Sequence, residues 1–137
     1  MKRLFNVALI ATLAMIVCSC KPSVVGEWKL VRTAIFDNEE LVESLEFEDG
    51  QEDVMIMRLD KDGTGYSSEG EEGNETYWKM VDEKLYIDAE PIAEEELEEW
   101  DDTEAAKVKT LDRKTLQLQY EANFILPEIE LTFVRVK

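Results

Sequence analysis

The 137-residue sequence has no histidine. This removes the usual general base, the commonest metal-ligating side chain and every Ser–His or Cys–His nucleophilic pair. Cysteine is almost absent as well: Cys18 and Cys20 are the only two, both near the N-terminus. If cleavage falls before Cys20, one cysteine remains and no intrachain disulfide can form. About 117 residues then follow Cys20, enough for one modest core that must hold without a covalent staple. Positive charge is scarce, with 15 Lys plus Arg against 32 Asp plus Glu, or −17 overall. Such a surface repels phosphate backbones and excludes nucleic acid as a partner. No Ser/Gly linker, internal repeat or sustained helical period interrupts the chain, and one domain is expected over residues 24–137.

The N-terminus is organised differently. Lys2 and Arg3 precede an apolar stretch, Leu4 to Val17, that is too short to span a bilayer comfortably. Residues 1–19 read as a signal peptide. The sequence V-C-S-C at Val17–Cys20 resembles a bacterial lipobox, in which cleavage precedes a cysteine that then carries the lipid. This resemblance implies membrane attachment at Cys20 and a short tether over residues 20–23; an ordinary cleaved secretion signal is the alternative. Loss of Lys2 and Arg3 leaves 13 basic against 32 acidic residues, −19 for the mature chain. Lys21 follows the cysteine, and no acidic tract does. The expected location is the cell envelope, as an outer-membrane lipoprotein facing the periplasm.

Beyond the tether, short segments of period-2 alternation recur between turn residues. They are Val24–Ala34, Leu45–Asp49, Asp53–Leu59, the polar Thr64–Gly70, Glu75–Val81, Lys84–Ala89, Ala105–Leu111, Thr115–Ala122 and Glu128–Lys137. "DE" at Asp82–Glu83 and "DRK" at Asp112–Lys114 read as hairpin turns. The expected fold is all-β: an antiparallel up-and-down meander of about eight strands, closed into a small barrel to remove its edges. Pro91–Asp102 stands apart. Ala93, Leu97 and Trp100 fall at helical spacing, but Glu94–Glu98 and Glu95–Glu99 are like-charged pairs that weaken a helix. The segment reads as an acidic loop or short helix at one end of the barrel, and its eight carboxylates between Glu94 and Glu104 read as a solvated surface.

Gly26-Glu27-Trp28 at the start of the first strand and Arg135 in the closing "LTFVRVK" carry a family resemblance. The chain resembles lipocalins and related calycin barrels, and most closely the small lipocalin-like lipoproteins of Bacteroidetes, over nearly all of Ser23 to Lys137. The resemblance implies that Trp28 closes one end of the barrel and that Arg135 packs over its ring. Strand parity agrees independently: Arg135 shares a face with Ile129, Leu131 and Phe133, and Trp28 shares one with Val24, Gly26 and Leu30. The same parity places Leu45 and Phe47, Trp78 and Met80, Leu85 and Ile87, and Leu116, Leu118 and Tyr120 inward. Phe47, Trp78, Met80, Leu85, Ile87, Leu116, Leu118, Tyr120, Leu131 and Phe133 are the expected lining of any ligand cavity. Val54–Leu59 is apolar on both faces, so its register is open, with Met55 and Met57 covered by the acidic loop or by a partner.

"DKDGTGYSSEGE" imitates a calcium loop, with Asp60, Asp62, Thr64, Tyr66, Ser68 and Glu71 at positions 1, 3, 5, 7, 9 and 12. The flanking segments are strands, whereas an EF-hand needs helices. Asp-Gly between strands is a hairpin signal. The expectation is therefore a turn and no metal; an adventitious cation site at Asp60, Asp62 and Glu71 is the alternative.

Two functional readings follow. In the first, a lipid-anchored barrel holds a small apolar ligand in its mouth. In the second, the barrel is filled and its acidic loops meet a cationic partner. No acid pair stands out among the 32 carboxylates, so the chain reads as a non-enzyme that needs no cofactor. With Trp28 at the tethered end, the mouth is expected to face away from the membrane, and the turns at Asp82–Glu83 and Asp112–Lys114 to lie at different depths. Cys20→Ala should leave an unprocessed precursor that takes up no labelled fatty acid; label incorporated by the variant would refute attachment at Cys20.

Overall fold

The computed structural model describes residues 23–47, 54–101, 104–123 and 126–136. Residues 1–19, expected to be a signal peptide, and Cys20 lie outside the described residues. The nine strands are β1 (Gly26–Asp37), β2 (Glu40–Glu46), β3 (Met55–Leu59), β4 (Thr64–Glu69), β5 (Glu72–Val81), β6 (Lys84–Asp88), β7 (Ala106–Leu111), β8 (Thr115–Tyr120) and β9 (Glu128–Arg135). All pair antiparallel, and β1 also pairs with β9, which closes the sheet into a barrel.

The closure is built around β1. One of its edges runs along β9 from Trp28 to Phe36. Its other edge is shared end to end, with Gly26–Lys29 on β3 and Arg32–Asp37 on β2. The barrel therefore has eight strands, and β2 is an additional one with no neighbour on its outer edge among the described residues. All seven residues of β2 are exposed. Leu45, expected inside, is 57% exposed for this reason, although Phe47 just beyond it packs on the core.

The β1–β2 connection escapes strand alternation. Asn38 (φ 51°) and Glu39 (φ 68°) form a two-residue turn of positive φ, as Asp82 (φ 47°) and Glu83 (φ 67°) do between β5 and β6. This geometry matches the right-handed twist of the flanking strands. Asn38 is a residue type that tolerates it, so the turn starts a strand five residues before the Leu45–Asp49 segment.

Alternation holds through most of the interior. Trp28, Met57, Leu59, Leu85, Leu116, Leu118 and Phe133 are fully buried in one cluster. Met55 and Met57 belong to this interior and are not covered by the acidic loop, which settles the register of β3: Met55, Met57 and Leu59 point inward. The cluster fills the barrel at the Trp28 end. Phe47, Ile87, Tyr120 and Leu131 pack above it and keep partial exposure.

The acidic segment is a 3-10 helix over Glu94–Glu99, lying on the outer wall and not at an end of the barrel. Its anchors are Ile92, Leu97 and Trp100, packed on the outward Tyr86 and on Ala105; Ala93 is exposed. Trp100 meets Tyr86 edge-on at 5.3 Å between centroids, a geometry favoured by ring quadrupoles. Three apolar side chains are enough to dock a segment whose consecutive glutamates prevent a stable α-helix.

Candidate ligand-binding site

The end of the barrel near Trp28 is clamped by one side chain. Arg135 lies over the Trp28 ring, 4.2 Å from its centroid. Its Nε donates to Arg113 O, Nη1 to Val25 O and Nη2 to Ser23 O, each at 2.8 Å. Trp28 Nε1 donates to Val24 O at 2.8 Å. Arg135 thus ties the last strand to the first, to the β7–β8 turn and to the N-terminal approach. The planar guanidinium suits this task because it offers several donors in a fixed fork while its face stacks on indole. Gly26 (φ 142°) stands where a Cβ would collide with Arg135 Nη1. The glycine two residues before Trp28 is required by that passage as well as by its own φ.

A second tryptophan secures the calcium-like stretch. Trp78 Nε1 donates to Asp60 O at 2.9 Å and to Thr64 O at 3.0 Å. Asp62 Oδ1 accepts from Thr64 N (3.0 Å) and Thr64 Oγ1 (2.6 Å), and Gly63 (φ 90°) supplies the positive φ. Asp60 pairs with Arg58 at 3.1 Å. The four residues Asp60–Gly63 form the β3–β4 turn. Glu71 lies in the β4–β5 turn, at the other end of the six-residue β4 and about 20 Å away along it, so the Asp60, Asp62 and Glu71 set is not assembled. Hydrogen bonds from Thr64 hold the Asp62 carboxyl below the ordinary carboxylate value, and those from Lys114 and Thr115 do the same for Asp112. Each contributes stability that is present above the ordinary carboxylate pKa and lost as pH falls through the lowered one.

Beside this clamp the wall opens. β6 and β7 pair only at Lys84–Lys107 and Leu85–Ala106. β7 then runs on to Leu111 with its edge held on that side by Val108 N donating to Glu83 O at 2.8 Å. The gap is an apolar groove of about 570 Å³, lined by Val24, Trp78, Met80, Val108 and Leu111, with Ser23, Glu83 and Lys109 also along it. A bulge between Val108 and Thr110 shifts the alternation of β7. Leu111 consequently faces the same way as Val108, which strict period-2 reading denies. Lys109 Nζ is held at 2.7 Å by Glu130 on β9, a carboxylate that is 7% exposed.

The ten residues expected to line a cavity are thus divided. Leu85, Leu116, Leu118 and Phe133 are sealed in the floor; Phe47, Ile87, Tyr120 and Leu131 sit above it; Trp78 and Met80 line the groove. Burial raises the Tyr120 pKa. Ser23, Val24, Val108 and Leu111 were not among the ten. Val24 carried a signal, since it shares the Trp28 face, while Leu111 carried none without the bulge.

A larger concavity, about 790 Å³, lies at the opposite end between the β1–β2 turn and the β8–β9 loop. Ile35, Phe36, Val42 and Leu126 line it together with Asp37, Glu39, Glu121 and Glu128.

The lipocalin-like family profile matches residues 23–126, about three quarters of the sequence. The chain belongs to the lipocalin-like family. No curated protein matches this lipocalin-like chain. Among solved structures, Japanin from Rhipicephalus appendiculatus bound to cholesterol is similar over 82% of this chain and 75% of that one, at 10% identity and a TM-score of 0.35.

Two measurements check this end of the barrel. Trp28→Ala should cost about 3–5 kcal/mol in denaturant unfolding, and Arg135→Met less; their losses should fall short of additive, because contacting residues couple. Strict additivity would contradict the stacking. Millimolar calcium should leave the melting temperature unchanged in the wild type and in Asp62→Asn, whereas an occupied site at a hundredfold excess over Kd adds about 2.7 kcal/mol.

Proposed function

We propose that this lipocalin-like chain is a non-enzymatic binding protein of the cell envelope, anchored to the membrane through Cys20, that holds a small apolar ligand. The observation that carries the reading is the groove beside Trp78. Its volume, about 570 Å³, falls within the range of small-molecule sites. Its apolar walls are side chains of β5, β7 and the N-terminal approach, and Ser23, Glu83 and Lys109 add polar groups along it. These side chains stand on a clamped frame, so the site is formed before a ligand arrives, which limits the ordering cost of binding. The absence of histidine from the sequence, and of any acidic side chain but Glu83 from the lining of the groove, supports retention of the ligand over its conversion.

The test is fluorescence titration with N-phenyl-1-naphthylamine, a neutral apolar probe. Wild type should bind it in the micromolar range. Leu111→Glu, at the end of β7, and Met80→Lys should each weaken binding at least tenfold while circular dichroism stays unchanged. Absence of binding by the wild type would refute the proposal. It would leave the alternative of a filled barrel meeting a cationic partner through its acidic loops, which the sealed floor supports.

A further inference from the structure

The groove opens at the end from which the chain's N-terminal segment departs. Ser23 and Val24 are part of its lining. Both are fixed in place, Ser23 O by Arg135 Nη2 and Val24 O by Trp28 Nε1. Residues Lys21 to Ser23, fully extended, reach roughly 10 Å. An anchor at Cys20 therefore holds the groove close to the bilayer and leaves the opposite concavity on the distant side of the barrel.

Charge orients the barrel the same way. The Asp82–Glu83 and Asp112–Lys114 turns, expected at different depths, both lie at the Trp28 end with the β3–β4 turn; this end carries Lys61, Lys84, Arg113 and Lys114 beside Asp60, Asp62, Asp82, Glu83 and Asp112. At the opposite end, residues 37–40, 69–72, 121–123 and 126–128 include Asp37, Glu39, Glu40, Glu69, Glu71, Glu72, Glu121 and Glu128, with no Lys or Arg. Residues 89–101, which leave β6 at that end and fold back along its wall, are equally free of cations. An anionic leaflet repels the distant end, while the near-neutral Trp28 end approaches it at little cost.

We infer that the groove takes one acyl chain of a lipid from the leaflet to which the protein is tethered, the ligand entering from the bilayer and not from the aqueous space. The inference rests on the ligand-binding reading above; it keeps the orientation expected from the sequence, with the Trp28 end at the membrane, but moves the ligand's entrance from the distant mouth to the groove at the tethered end. The apolar side chains of Val24, Trp78, Met80, Val108 and Leu111 suit an acyl chain, whose only demand is removal from water, while Ser23, Glu83 and Lys109 leave polar groups beside it. The nearest reservoir of such chains is the membrane that the tether brings to the groove.

The experiment uses the full chain, produced with its anchor and reconstituted in vesicles of phosphatidylethanolamine and phosphatidylglycerol with brominated acyl chains. Bromine quenches tryptophan on contact. Trp78 lines the groove, whereas Trp100 lies on the outer wall. With three tryptophans in the chain, wild type should lose about a third of its emission and Trp100→Phe, which keeps only Trp28 and Trp78, about half. Trp78→Phe and Leu111→Glu should lose far less. Absent quenching, or equal quenching in Leu111→Glu, overturns the inference, the latter because proximity alone then explains the signal. Quenching obtained only with brominated free fatty acid in solution overturns it in favour of a soluble ligand. A groove that admits N-phenyl-1-naphthylamine only after Cys20→Ala is filled by the chain's own anchor, which also overturns it. If the probe binds wild type but bromine does not quench, the binding function stands and the membrane source falls. If neither signal appears, with or without Cys20, both fall.

Discussion

The stacking of Arg135 on Trp28 is the contact on which the rest of the barrel depends. A meander of this length closes only if its first and last strands meet, and their pairing runs from Trp28–Arg135 to Phe36–Glu128. At its lower end, one guanidinium satisfies carbonyls from three separate parts of the chain: Ser23, Val25 and Arg113. Charged donors to backbone oxygens are stronger than neutral ones, and the indole beneath excludes water on one side. The same contact explains Gly26, whose place beside Trp28 has no room for a side chain.

With that end fixed, strand length decides where the wall is whole and where it parts. β1 spans twelve residues and needs two strands, β2 and β3, to cover its second edge. β6 spans only five and leaves β7 without a long partner. The first mismatch produces a projecting hairpin and the second an apolar groove. Neither requires an unusual residue. Both follow from antiparallel neighbours of unequal length around a closed sheet.

The acidic surface serves this architecture in two ways. Carboxylates in the turns at Asp60–Gly63 and Asp112–Lys114 accept backbone and hydroxyl hydrogens and so shape the connections. Those at the opposite end, except half-buried Glu128, and those along the 3-10 segment are exposed, and they give the barrel a strongly negative pole away from the Trp28 end. On the outer wall, buried Glu130 meets Lys109, which holds the bulged part of β7 that forms one side of the groove.

Local chemistry determined much of this protein before any tertiary contact. Strict alternation in Leu116–Gln117–Leu118–Gln119–Tyr120 made β8 legible, because one face of a strand must be apolar when the other meets water. Strand parity let Trp28 and Arg135 meet, while their marking of the closed end came from the family resemblance; Asp62-Gly63 marked a turn despite its resemblance to a calcium loop. Leu45 was misplaced and Leu111 left unassigned for a shared reason: alternation says which side chains share a face, but not whether a neighbouring strand covers that face or a bulge reverses it. The exposed β2, the 3-10 segment on the outer wall and the groove beside Trp78 were decided by the tertiary structure. Each depends on which strands lie side by side and where each one ends, and those quantities are set by contacts between residues far apart in the chain.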